Sequence, residues 1–156
     1  MNLSPDPALG YLFGNFSINS LTSRLSVQFV YRNLNDSNKE ILVPFLDGHG
    51  AVHPIPVEPG TYKLASEMLM GYGPTSHRIR LDLDSNDSVF APFAVPANTL
   101  VYLGRSHATS SYSVDLGTPV RKIRVPEIQY DLEADRRLLM LFYPAFNGMT
   151  IRRTTK

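Results

Sequence analysis

The sequence predicts a mainly β protein, an antiparallel β-sandwich of seven to nine strands with one C-terminal α-helix. Three observations carry this. Short runs of alternating apolar and polar residues recur at spacings of about ten residues. Twelve prolines punctuate the chain between and within those runs. One late segment, Asp131–Tyr143, departs from the alternation and places acids ahead of arginines and a long apolar stretch. The expected organisation is a flexible segment at 1–9, a single β domain at 10–149 and a frayed basic tail at 150–156.

The first strand is expected at Gly10–Asn19, where Phe13, Phe16 and Ile18 surround Gly14 and the glycine suggests a bulge with a slip in face parity. From Ser23 to Asn33, Leu25, Val27, Phe29 and Tyr31 occupy one face and Arg24, Ser26, Gln28 and Arg32 mostly the other. The turn formers at 33–39 lead into Glu40–Phe45, whose Pro44 argues for an edge strand, as Pro54 and Pro56 do for Ala51–Val57. Glu58-Pro59-Gly60-Thr61 reads as a type II turn with positive φ at Gly60. Tyr62, Leu64, Met68 and Met70 then share a face.

His77, Ile79, Leu81 and Leu83 alternate inward, the turn residues 84–88 follow, and Val89, Ala91, Phe93 and Val95 alternate on the way back. Residues 77–95 therefore read as a hairpin. Pro96-Ala-Asn98 turns into a strand at Thr99–Gly104. A Ser/Thr/Gly-rich stretch at 106–119 carries at most a weak strand at 112–116, and Ile123 and Val125 oppose Lys122 and Arg124 in a later one. Asp131–Tyr143 reads as a helix capped by Asp131, with a buried strand at Leu138–Tyr143 as the rival reading. Pro144 ends either element.

Composition excludes several functions. Fifteen Lys plus Arg against fourteen Asp plus Glu leaves a net charge of +1, too little for the positive field of a dedicated nucleic-acid binder. The absence of Cys removes thiolate zinc sites, cysteine nucleophiles and iron–sulfur clusters. No window approaches the roughly 20 apolar residues of a membrane-spanning helix, and no signal peptide is visible at Met1–Gly10.

Candidate chemistry is sparse. Asp47, His49 and His53 lie at spacings that an extended chain can place on one side, yet the flanking Gly48 and Gly50 and the lack of further ligands favour a solvated turn, so no metal and no cofactor are expected. Asp82-Leu-Asp84-Ser-Asn86 imitates the opening of a calcium loop but has Asp87 where that loop needs Gly and Phe93 where it needs Glu. No phosphate-binding glycine loop, nucleophile elbow or His-Glu-x-x-His motif occurs. Asn-x-Ser sequons fall at Asn2, Asn15, Asn35 and Asn86. Arg121, Lys122 and Arg124, with Arg152, Arg153 and Lys156, form a modest basic set, best read as a solvated strand face and tail.

Pro59-Gly60-Thr61-Tyr62, Phe93-Ala-Val95-Pro-Ala-Asn98, Val101-Tyr-Leu-Gly104 and the late Tyr143-Pro144 together resemble bacterial envelope and lipoprotein domains of the transthyretin-like or carboxypeptidase-regulatory-like type, over roughly residues 52 to 146. Asn98 stands where that pattern has Gly, a replacement the left-handed region tolerates. The resemblance implies a non-enzymatic binding or structural module of the bacterial cell envelope, periplasmic or anchored at the outer membrane. Its expected partner is another envelope protein, with membrane contact only through a removed lipid anchor. With Met1 as the native start the compartment is instead the cytoplasm, and the alternative function is a cytosolic enzyme subunit or a metal-dependent hydrolase using His49 and His53. Tyr62 and Phe93 are expected in the core rather than facing a ligand.

Overall fold

The computed structural model describes residues 3–19, 25–48, 52–71, 78–82, 91–124 and 127–154. Among them are eleven strands: β1 (Gly10–Asn19), β2 (Leu25–Asn33), β3 (Glu40–Pro44), β4 (Leu46–Asp47), β5 (Ile55–Val57), β6 (Gly60–Gly71), β7 (Arg78–Asp82), β8 (Phe93–Val95), β9 (Thr99–Asp115), β10 (Thr118–Arg124) and β11 (Thr150–Arg153). One α-helix, α1 (Leu132–Phe142), and a 3₁₀ turn at Pro144–Phe146 lie between β10 and β11. The fold is mainly β with one helix.

The strands form two sheets. The second is antiparallel throughout, in the order β3-β2-β6-β7, with β8 also on β6. The first is mixed and corrects the expectation of an antiparallel sandwich: β1 runs parallel to β9 and to β4, and β11 runs parallel to β9, while β5 and β10 are antiparallel to their neighbours. Alternation reports which face a residue takes and is silent on strand direction. β1 and β9 are joined not by a tight turn but by a long connection that forms the second sheet and adds β4 and β5 to the first, so nothing local imposes an antiparallel pairing.

Both faces of the first sheet are covered. Leu12, Phe16, Ile18, Val101 and Leu103 face the second sheet and pack with Val27, Phe29, Tyr31, Leu64, Phe93 and Val95. Tyr11, Phe13, Leu100 and Tyr102 face the other way, under Leu139 of α1 and Phe146. Phe13 and Phe16 are thus buried on opposite faces of a regular strand, and no parity slip in β1 is needed. The extra residue lies in the partner: Phe13 opposes Tyr102 and Asn15 opposes Arg105, so β9 has one residue more. Gly104, with φ of 105°, occupies this irregularity. A Cβ there would lie 2.3 Å from Ile128 Cγ2, and one at Gly14 would lie 2.8 Å from the Gly104 carbonyl oxygen. The two glycines let β1, β9 and the 127–129 segment close on one another.

A second irregularity sits in β6. Tyr31 opposes Leu64 and Val30 opposes Ser66, leaving Ala65 unopposed. Beyond it the register assigns Glu67 to Phe29, Met68 to Gln28 and Met70 to Ser26. Met68 and Met70 therefore do not share a face with Tyr62 and Leu64, and Glu67 takes the phase of the core positions.

The expected hairpin at 77–95 is also replaced. β7 and β8 each run antiparallel to β6, β7 opposite residues 66–70 and β8 opposite 60–62. They are two pieces of one interrupted strand along the same edge. Residues 83–90, including the would-be calcium loop beyond Asp82, lie outside the described residues, as do His77 and the first residues of the Ser23–Asn33 reading. Gly60 has no positive φ; it already pairs with Val95, and its open space admits the Asn33 and Asn35 side chains, so the type II turn is not formed.

Other expectations hold. Tyr62 and Phe93 are buried between the sheets at 1% and 8% exposure. β3 and β5, with Pro44 and Pro56, pair on one side only among the described residues. Asn98 takes φ of 51° in the turn before β9. The helix reading prevails over the strand at 138–143, with Asp131 as cap accepting from the Ala134 N–H at 3.2 Å. By contrast β9 runs unbroken through the Ser/Thr-rich 106–115, because threonine, tyrosine and valine suit a pleated backbone whether or not it is buried. Thr150–Arg153, read as a frayed tail, adds β11 alongside Thr99–Tyr102.

Candidate functional site

The densest polar constellation lies where α1 crosses the outer face of the first sheet. Leu132, Asp135 and Leu139 recur at helical spacing, so Asp135 falls in the stripe that α1 turns toward the sheet. Asp135 is 0% exposed, and among the described residues it is the one charged side chain so deeply buried. β1 supplies Asn15 and β9 supplies Tyr102 and Arg105, with Asn15 and Arg105 directly opposed.

Their hydrogen bonds converge on the carboxylate. Oδ1 accepts from Asn15 Nδ2 at 2.8 Å and from Arg105 Nη2 at 2.7 Å. Oδ2 accepts from the Tyr102 hydroxyl at 2.5 Å and from Arg105 Nε at 3.2 Å. Arg105 grips the carboxylate side-on through two nitrogens and also reaches Asp131 at 3.5 Å. The Tyr102 hydroxyl accepts from the backbone N–H of Asp131 at 3.0 Å. Four donors match the roughly four acceptor positions of an ionised carboxylate. Burial, with the hydroxyl's bond to Asp135, pushes the Tyr102 phenol far above the usual tyrosine range, and the bond to Asp135 pushes the Arg105 guanidinium up.

Along the same strands Ser17 opposes His107, with Ser17 Oγ 2.7 Å from His107 Nδ1. Ser17 is 5% exposed. Sequence spacing gave no hint of this pair, since ninety positions separate the two residues. Asp135 was equally hidden: it reads as an acid favouring the helix N-terminus, and only its phase with Leu132 and Leu139 signals burial.

Of the residues singled out in the sequence, Asp47 is exposed at the end of β4, opposite Ile18. His53 is exposed, and its Nδ1 lies 2.5 Å from the Tyr143 hydroxyl at the end of α1. His49 lies outside the described residues. Among the described residues no three His, Asp or Glu side chains converge as a metal ion requires. His53 also borders a dimple of about 30 Å³ lined by Gly14, Phe16, Val43, Pro44, Leu46 and Ile55. That volume admits a water or two and falls well below the roughly 300 Å³ at which small-molecule sites begin.

The basic set divides in two. Arg124 of β10 opposes Thr109, whereas Arg153 of β11 opposes Tyr102 on the same edge of β9. Seven positions along a strand separate them by roughly 20 Å. No family model, curated protein or solved structure matches this chain.

Proposed function

We propose that this protein is a non-enzymatic binding or structural module of the bacterial cell envelope, the soluble part of a lipoprotein, that works by presenting surfaces to another envelope protein. The observation that carries the non-enzymatic half is the saturation of Asp135. A carboxylate whose acceptor positions are all occupied by Asn15, Tyr102 and Arg105 fastens a helix to a sheet and has no lone pair left for a metal or a substrate. The envelope half rests on the sequence resemblance over residues 52 to 146.

The surface offered to a partner is the far end of α1. Leu141 and Phe142 are 72% and 58% exposed, adjacent apolar side chains on a helix whose opposite stripe is firmly docked. Photo-crosslinking in the native cell from position 141, with exposed Glu133 as the control position, tests the reading. A discrete adduct from position 141 only, recovered in the envelope fraction, supports it. Recovery of the protein in the cytosol with no adduct removes it.

A further inference from the structure

β9 and β10 continue past the body of the fold as a two-stranded ribbon. Among the described residues, positions 110–115 of β9 pair with β10 alone, and Asp115 opposes Thr118 across a two-residue turn of Leu116 and Gly117. Leu116 has φ of 48° and Gly117 of 81°, the left-handed pair of a type I′ turn. Such a turn favours Asn or Asp followed by Gly, because a bulky side chain is strained at positive φ. Leucine stands there, 100% exposed, with Val114 66% exposed beside it. A Cβ built on Gly117 would meet nothing within 4 Å, so the tip stands clear of the other described residues. Local conformational preference and the hydrophobic effect both oppose a leucine at this position.

Charge along the ribbon points to what receives it. Residues 109–124 hold Arg121, Lys122 and Arg124 against Asp115, three cations minus one anion, whereas the whole chain carries +1. By register Arg121 lies three strand positions beyond Thr118, roughly 10 Å from the turn, and Arg124 roughly 20 Å. A bilayer's polar layer is about 5–7 Å thick on each side, and long cationic side chains reach back along the chain toward phosphate oxygens. With its tip at the acyl boundary, the ribbon holds Arg121 and Lys122 within a Debye length of the anionic surface, and Arg124 farther out.

From this arrangement we infer that the β9–β10 ribbon is a membrane-surface probe, inserting Leu116 and Val114 into an anionic bilayer while the charges of Arg121 and Lys122 favour its phosphates. This inference stands on the ribbon alone and is independent of the envelope reading. The protein is expected to sediment with vesicles of phosphatidylcholine and phosphatidylglycerol, to bind pure phosphatidylcholine poorly, and to release as salt rises.

Leu116→Asn separates binding from folding, because Asn-Gly is the favoured pair for this turn and the variant keeps or gains stability. Its vesicle affinity should fall by about tenfold, the effect of no longer burying a leucine side chain. Replacing Arg121 and Lys122 together with Gln should cost about fivefold per charge. The chain has no Trp, so Leu116→Trp places one fluorophore at the tip, and its emission should shift to the blue on anionic vesicles. The inference is overturned if the unaltered protein does not sediment with anionic vesicles, if Leu116→Asn binds them equally well, or if the tip tryptophan does not shift. Absence of vesicle binding would assign the leucine to a protein groove instead.

Discussion

Asn15 and Asp135, 120 positions apart in sequence, meet through a 2.8 Å hydrogen bond that joins the centre of β1 to the buried stripe of α1. Together with Tyr102 and Arg105, this bond fastens the helical layer to the sheet by charge as well as by apolar contact. Asp135→Ala should lower the unfolding free energy by about 3–5 kcal/mol, since it leaves the Arg105 guanidinium and the Tyr102 hydroxyl facing an empty site. Tyr102→Phe, which removes one bond to a charged acceptor, should cost about 1.5–3 kcal/mol. Urea unfolding measures both, and hydrogen exchange should show the loss first in the amides of α1.

Glu67 lies inward because of the unopposed Ala65, and burial raises its carboxyl above the usual glutamate range. The folded protein therefore holds this proton more tightly than the unfolded chain, whose glutamate titrates near 4.3. Stability from this group is present below that value and is lost as pH rises through the higher folded value. Glu67→Gln should remove this component of the pH dependence and be the more stable form at neutral pH. Urea midpoints measured from acid to neutral pH for both proteins decide it; parallel curves would contradict the inward placement.

At alkaline pH the sign is the same and the window is different. Burial raises the phenol of Tyr31 far above the ordinary range, as it does for Tyr102. Ionisation of either requires unfolding, so the stability they contribute is lost above about pH 10, where unfolded tyrosines give up their protons. An ultraviolet titration should show exposed tyrosines ionising reversibly, followed by a cooperative step that coincides with loss of the fold.

Phe93 packs edge-on against Tyr31, with ring centroids 5.8 Å apart, and Phe93→Ala should cost about 3–5 kcal/mol. His53→Ala, at an exposed position with one hydrogen bond to Tyr143, should stay within about 1 kcal/mol of the parent protein. Thermal or urea midpoints of the pair compare a residue between the sheets with one at their rim.

Leu116→Asn is expected to raise stability by about 1 kcal/mol, the strain of a branched apolar residue in the left-handed region. Denaturant midpoints check this without vesicles, so the folding result stands apart from the membrane result.

Local chemistry in the sequence determined most of the extended segments, the one helix and much of the core, but not the length of β9 or the existence of β11. Val27, Phe29, Tyr31, Tyr62, Phe93 and Val95 are all in phase, and Asp131 caps the helix as its sequence position predicts, because side-chain period and backbone capping act over a few residues. Tertiary structure alone decided strand direction, the partners of β7 and β8, and the faces beyond each irregular position. A single unopposed residue at Ala65 reverses every face after it, and nothing at Ala65 announces this locally. The Asp135 cluster was hidden for the same reason. Asn15, Tyr102, Arg105 and Asp135 each look ordinary in sequence, and their chemistry exists only once a parallel strand pair and a docked helix bring them within hydrogen-bonding distance.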